Sequence, residues 1–169
     1  PVNGDQFAQP DRRVTSGLDA SHTWHLHAGA PASDLTVGMQ LQSDNIFNGL
    51  YNTRERRRVS VTREDHVVEG SAGMFIEAAT QWNDMLRTTA GVRSDHYRFK
   101  VRGDRIENSG SARDHLASPS LSVALAPAAG AELYFNMGAG FHSNDARGAT
   151  APVDRSPGLV RSRGIEAGL

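Results

Sequence analysis

A two-residue rhythm of apolar and polar side chains, recurring in stretches of about ten residues, constrains this chain more than any other feature. It is clearest in Glu132 to Phe141, where Leu133, Phe135, Met137, Ala139 and Phe141 alternate with Glu132, Tyr134, Asn136, Gly138 and Gly140. Successive side chains of a β-strand point to opposite faces, so this period predicts a strand with one apolar face. A helix would scatter the same residues, and its interior would be weakened by the two glycines.

The rhythm returns along the chain. In Val14 to Ala28, Leu18, Ala20, Trp24, Leu26 and Ala28 share a face, with His22 intruding on it. After a turn at Gly29 to Ala32 come Leu35, Val37, Met39 and Leu41. Val68, Ala72, Met74, Ile76, Ala78 and Trp82 form the next apolar face, with Phe75 as an exception on the polar side. Leu86, Thr88, Ala90 and Val92 follow the turn at Asn83 to Met85; beyond Val92 the phase shifts to Tyr97, Phe99 and Val101. Such a shift marks either a bulge or a strand that has left its apolar surroundings. Leu121, Val123 and Leu125, a turn at Pro127 to Ala131, the Glu132 strand, and Ile165, Ala167 and Leu169 complete about seven strands.

Connections add a second pattern. The turns at Gly29 to Ala32, Asn83 to Met85 and Pro127 to Ala131 are short, whereas Ser43 to His66, Arg102 to Leu116 and His142 to Gly158 read as long polar loops. Short turns at one end and long loops at the other are the habit of outer-membrane barrels. Trp24 and Trp82 fall near the short-turn end, and Tyr97, Phe99 and Phe141 near the other, as two interfacial girdles would. A soluble antiparallel sheet with one buried face shares the alternation, but not the loop asymmetry.

Composition narrows the partners. Across 169 residues the net charge is -1, which argues against nucleic acid, whose binding depends on clustered Lys and Arg. The run Arg54 to Arg58 is a local exception and reads as a solvated loop. Without cysteine there is neither a disulfide framework nor a thiolate metal site. The chain opens on Pro-Val-Asn and stops inside a regular pattern, so it is expected to be a piece of something longer.

Several stretches together resemble the β-barrel of a TonB-dependent outer-membrane receptor. The most specific is "ELYFNMGAGFHSNDARG" at Glu132 to Gly148. "GDQFAQPDRR" at Gly4 to Arg13, "TREDH" at Thr62 to His66, "SAGMFIEAATQW" at Ser71 to Trp82, "HLASPSLSVALAP" at His115 to Pro127 and "LVRSRGIEAGL" at Leu159 to Leu169 follow the family's order. The resemblance implies an all-β fold: an antiparallel up-and-down meander over residues 1–169, with no second domain, forming part of a large transmembrane barrel. Family barrels have about 22 strands around an N-terminal plug, so the chain would supply about a third of the wall and lacks the plug. The implied function is energy-coupled uptake of a scarce solute such as a ferric siderophore or another metal chelate, in the bacterial outer membrane. Implied partners are that solute, the plug, the TonB complex and outer-membrane lipid, with no enzyme activity and no cofactor. A soluble β-sandwich binding module and a passive porin-like barrel are the alternatives.

Candidate solute contacts fall in two places. Phe47, Tyr51 and Arg54 join aromatic surface to positive charge, which suits an anionic chelate as well as it suits a packed loop core. His142, Asn144, Asp145 and Arg147 follow the last alternating residue. There Asn144 and Asp145 favour a turn, and Asp145 has Arg147, Arg161 and Arg163 as possible ion-pair partners. His142, Ser143 and Asp145 are too close in sequence to face one another as a catalytic triad. His25 and His27 share a face, but two histidines do not make a metal site.

Overall fold

The computed structural model describes residues 6–26 and 31–169. It is one antiparallel sheet, built from strands β1 (Gln6–Ala8), β2 (Asp11–Leu26), β3 (Ala32–Arg54), β4 (Arg57–Gln81), β5 (Leu86–Gly103), β6 (Gly110–Ala128), β7 (Ala131–Ser143) and β8 (Leu159–Gly168). Each strand from β3 onward pairs with the next. β1 and β2 both pair with β3 and act as one edge strand interrupted at Gln9 and Pro10. Pro10 has no N–H to offer the ladder, yet its carbonyl still accepts from Gly49 N at 3.0 Å. The result is the expected meander of about seven strands, curled into a half-barrel.

Register confirms the shared apolar face. Trp24, Leu35, Ala78, Ala90, Leu121, Met137 and Ile165 lie directly opposite one another in a single row across seven strands. Among the described residues nothing covers this face: Leu133 is 44% exposed and Met137 45%. A sandwich would bury them under a second sheet. The outward positions Leu18 to Trp24, Leu35 to Leu41, Ala72 to Ala78, Leu86 to Val92, Pro119 to Leu125, Leu133 to Ala139 and Ile165 to Ala167 form an apolar belt interrupted by His22 and Thr88.

The opposite face is polar and laced across strands. Asp95 binds Arg93 through Nε at 2.9 Å, and Arg93 Nη1 donates to Gln40 Oε1 at 2.6 Å, two strands away. Gly73 makes that reach possible, because a Cβ there would stand 2.2 Å from Arg93 Nη2. Phe75, the apparent exception, lies over Gly38, where a Cβ would fall 2.3 Å from its ring.

Three sequence-based expectations are corrected. Ser43 to His66 is not a loop: β3 and β4 run 23 and 25 residues and meet in a two-residue turn at Glu55 and Arg56, both at positive φ. The connection within Arg102 to Leu116 also shrinks, to a single 3-10 turn at Ile106–Asn108. Beyond the belt the outward face is no longer uniformly apolar, so the rhythm that announces the strands fades while the hydrogen-bonded ladder continues. Beyond Val92 the register with both neighbours is unbroken, so there is no bulge; the polarity of the faces inverts instead. Tyr97, Phe99 and Val101 share the inner face with Arg93 and Asp95 and form no outer girdle. Phe99 is 1% exposed, packed with Ile46, Val67, Val101, Ala146 and Ala149 in a small core on the inner side.

Candidate functional site

That inner core exists because the β7 to β8 connection folds back over the wall. Pairing of β6 with β7 stops at Ser120 and Gly138, one step before Pro119, which cannot donate to the ladder. Past that point β7 pairs only with β8 as far as Ser143 and Leu159. Phe141 packs edge-on against Tyr97 of β5 at 5.7 Å, and Leu159 N donates to Asp114 Oδ2 at 2.9 Å. The folded segment meets the wall closely: a Cβ on Gly110 would lie 2.5 Å from the Thr150 carbonyl oxygen.

A short helix, α1 (Ala146–Ala149), sits at the centre of this shelf. Asp145 caps it, its Oδ1 accepting from Arg147 N at 2.8 Å and from Arg147 Nε at 3.0 Å. Of the three arginines open to Asp145 from sequence, the partner is Arg147. Asn144 closes the base of the connection: its N–H donates to the Gly158 carbonyl at 2.9 Å and its Nδ2 to the Pro157 carbonyl at 2.8 Å. Ala146 and Ala149 face the core, being small enough to let the helix approach Phe99 and Val101.

Arg147 stands between two adjoining clefts. One, of about 300 Å³, is lined by Asp11, Asn48, Arg63, Asp65 and Arg147; the other, of about 260 Å³, by Arg13, Glu69, Asn144, Asp145 and Arg147. Asp65 is 1% exposed, held by Arg63 Nε at 2.6 Å with Arg147 Nη1 at 3.9 Å. The hydrogen bond from the Arg147 side chain keeps the Asp145 carboxyl below its ordinary range. Burial, and then the neighbouring Asp44 carboxylate, push Glu69 the other way. Such a site offers guanidinium donors beside carboxylate acceptors, a surface for binding polar or chelated solutes.

The sequence candidates therefore divide. Asn144, Asp145 and Arg147 meet at the inner clefts, whereas His142 is exposed on β7 and does not line them. Phe47 and Tyr51 lie on the outward face of β3, and Arg54 at its tip. Arg12 covers the Phe47 ring at 5.2 Å and Arg58 the Tyr51 ring at 3.9 Å, while Tyr51 OH donates to Glu64 at 2.8 Å. Arg13, Arg63, Asp65 and Glu69 escaped sequence reasoning, since only the infolded connection brings them to Arg147. His25 is engaged with Asp34 at 2.8 Å, and His27 lies outside the described residues. Among the described residues no group of His, Asp and Glu is placed to hold a metal, and His142, Ser143 and Asp145 share no hydrogen bond.

Comparison with known proteins agrees with this architecture. A family model described as TonB dependent receptor-like, beta-barrel matches residues 2–169. Among solved structures, the ferric citrate transporter FecA in its unliganded form superposes with a TM-score of 0.73 at 14% identity, covering 80% of this chain and 21% of FecA. No curated protein matches.

Proposed function

Because the chain belongs to the TonB-dependent receptor-like β-barrel family, we propose that it is a wall segment of an outer-membrane receptor for energy-coupled uptake of a scarce solute. A ferric siderophore or another metal chelate is the solute class favoured, taken up with the help of a plug and the TonB complex. The observation that carries the reading is the contrast between the two faces. An uncovered apolar belt meets lipid on one side, and on the other a charged shelf closes over the wall around Arg147.

The test is uptake of labelled ferric chelates by cells making the whole receptor that carries this segment, with and without TonB. Uptake that requires TonB and falls when Arg147 is replaced by Gln supports the reading. Equal flux without TonB would instead indicate a passive porin-like barrel.

A further inference from the structure

The wall is split between β6 and β7. Among the described residues their ladder climbs from the turn to Ser120 and Gly138 and goes no further. Above that rung β6 stays paired with β5 as far as Gly110, and β7 stays paired with β8 as far as Ser143. Phe141 shows where the upper end of β7 goes. It alternates with the outward Met137 and Ala139, yet its ring meets Tyr97, which shares the inner face with Asp95. Leu159 of β8 likewise reaches the Asp114 carboxylate on the inner side of β6. The ribbon of β7 and β8 therefore passes behind β6, and two strands that are bonded neighbours in the belt are separated above it.

A cleft of about 510 Å³ occupies the split, within the range of small-molecule sites. Leu121, Met137 and Ile165 carry the apolar belt into it, Pro119 and Ala139 flank the break, and Leu116 lines it from the other face of the sheet. Leu116 is 4% exposed and stands opposite Asp95. Arg161 and Arg163, the charged residues of the lining, are both exposed and add no buried charge. Bonded strands lie about 4.8 Å apart and leave no room for a chain to pass between them. Here a single, mostly apolar cleft is lined from both faces.

That geometry selects its occupant. A tail lying against Leu121, Met137 and Ile165 meets an apolar surface continuous with the belt, and a head beyond Leu116 stands on the polar, luminal side. A lipid held in the leaflet keeps its head at the membrane surface and has no use for a break in the wall. A tailed solute does.

We propose that the split between β6 and β7 is a lateral binding site for the acyl tail of an amphiphilic metal chelate. The site deepens the uptake reading above and rests on it. The tail lies in the split, and the chelating head is presented to the inner side, where the shelf stands.

The test compares two ferric trihydroxamates, one carrying a tetradecanoyl tail and one an acetyl group in its place, for binding to the whole receptor in nanodiscs, with empty nanodiscs as background. Ala139→Trp and, separately, Ala117→Trp fill the split; Ala78→Trp adds the same ring elsewhere on the belt. Expected is at least tenfold tighter binding of the tailed chelate by the wild type and by Ala78→Trp, a gain that a few buried methylenes supply. Both filled variants lose that advantage and keep the affinity for the acetyl chelate, which shows them folded. An advantage that survives filling is partition of the tail into lipid and overturns the proposal, as does the absence of any advantage. A phospholipid that copurifies with the wild type and is lost from Ala139→Trp, with no preference for the tailed chelate, would give the split to membrane lipid and overturn it too. Should the filled variants fail to insert, photo-crosslinking decides. A diazirine at the end of the tail is expected to label Leu116 to Leu121 or Met137 to Ala139 of the wild type, and labelling confined to other strands overturns the site. TonB-dependent uptake of the acetyl chelate with no tail preference defeats this inference alone; uptake of both chelates that ignores TonB defeats the receptor reading and this inference with it.

Discussion

Arg147 holds the Asp145 carboxylate through its backbone N–H at 2.8 Å and through its guanidinium, which donates from Nε to Oδ1 at 3.0 Å and from Nη2 to Oδ2 at 2.5 Å. The same carboxylate thus caps α1 and holds the side chain that divides the two inner clefts.

Removing that carboxylate loosens the shelf. Asp145→Ala is expected to cost about 1 kcal/mol of local stability, the usual value of a helix N-cap. Hydrogen exchange across Ala146 to Thr150 in the whole receptor checks it: protection there falls while protection of β4 and β5 stays unchanged.

Acid and base act on the shelf with opposite signs. Asp145 titrates below its ordinary value of 3.8, chiefly through the Arg147 side chain, so its contribution is present above that value and is lost as pH falls through the lowered one. Glu69 titrates above its ordinary 4.5, through burial, so its contribution is complete below 4.5 and is lost as pH rises through the raised value. Glu69→Gln should therefore raise the thermal midpoint at neutral pH and leave it unchanged at about pH 4, as followed by heat-modifiable gel mobility.

The two faces of β7 differ in their tolerance of charge. Met137→Arg places a cation in lipid and is expected to cost about 2–4 kcal/mol near the midplane, blocking insertion. Asn136→Arg points into the interior, loses the hydrogen bond from Ser122 to Asn136 and still inserts. Outer-membrane fractionation of each variant reports the difference; equal effects would defeat the face assignment.

Glycines on the inner face separate flexible from rigid neighbours. A methyl group at Gly73 meets the far end of Arg93, which swings aside at the expense of its bond to Gln40. At Gly110 it meets the Thr150 carbonyl at 2.5 Å, so backbone must shift. Gly110→Ala is expected to cost about 1–3 kcal/mol, as overpacking does, and to detach the shelf. Gly73→Ala costs less than Gly110→Ala and leaves the shelf in place; limited proteolysis within Asn144 to Gly158 distinguishes them.

Legibility in the sequence followed the solvent. Where one face is apolar and uncovered, from Leu35 to Leu41 or Leu133 to Ala139, alternation alone gave strand and face. Above the belt the signal changed meaning: Tyr97 and Phe99 read as part of a girdle, whereas Phe99 belongs to an inner core and Tyr97 packs against it. Ile46 and Val67 belong to that core through pairing across a hairpin whose turn residues, Glu55 and Arg56, give no conventional turn signal. The site was half visible. Asp145 and Arg147 announce a turn with an ion pair, whereas Arg63 and Asp65 join them only because Pro119 ends a ladder far away in the chain.

The hairpin of β3 and β4 rises beyond Leu41 for thirteen residues, about 40 Å of hydrogen-bonded ribbon, before it reverses at Glu55 and Arg56. Such a mast has already surrendered its backbone entropy on folding, so an arriving molecule would meet a preformed surface and leave it no stiffer than before. Proteases, which need slack chain to grip, are correspondingly starved of a foothold there.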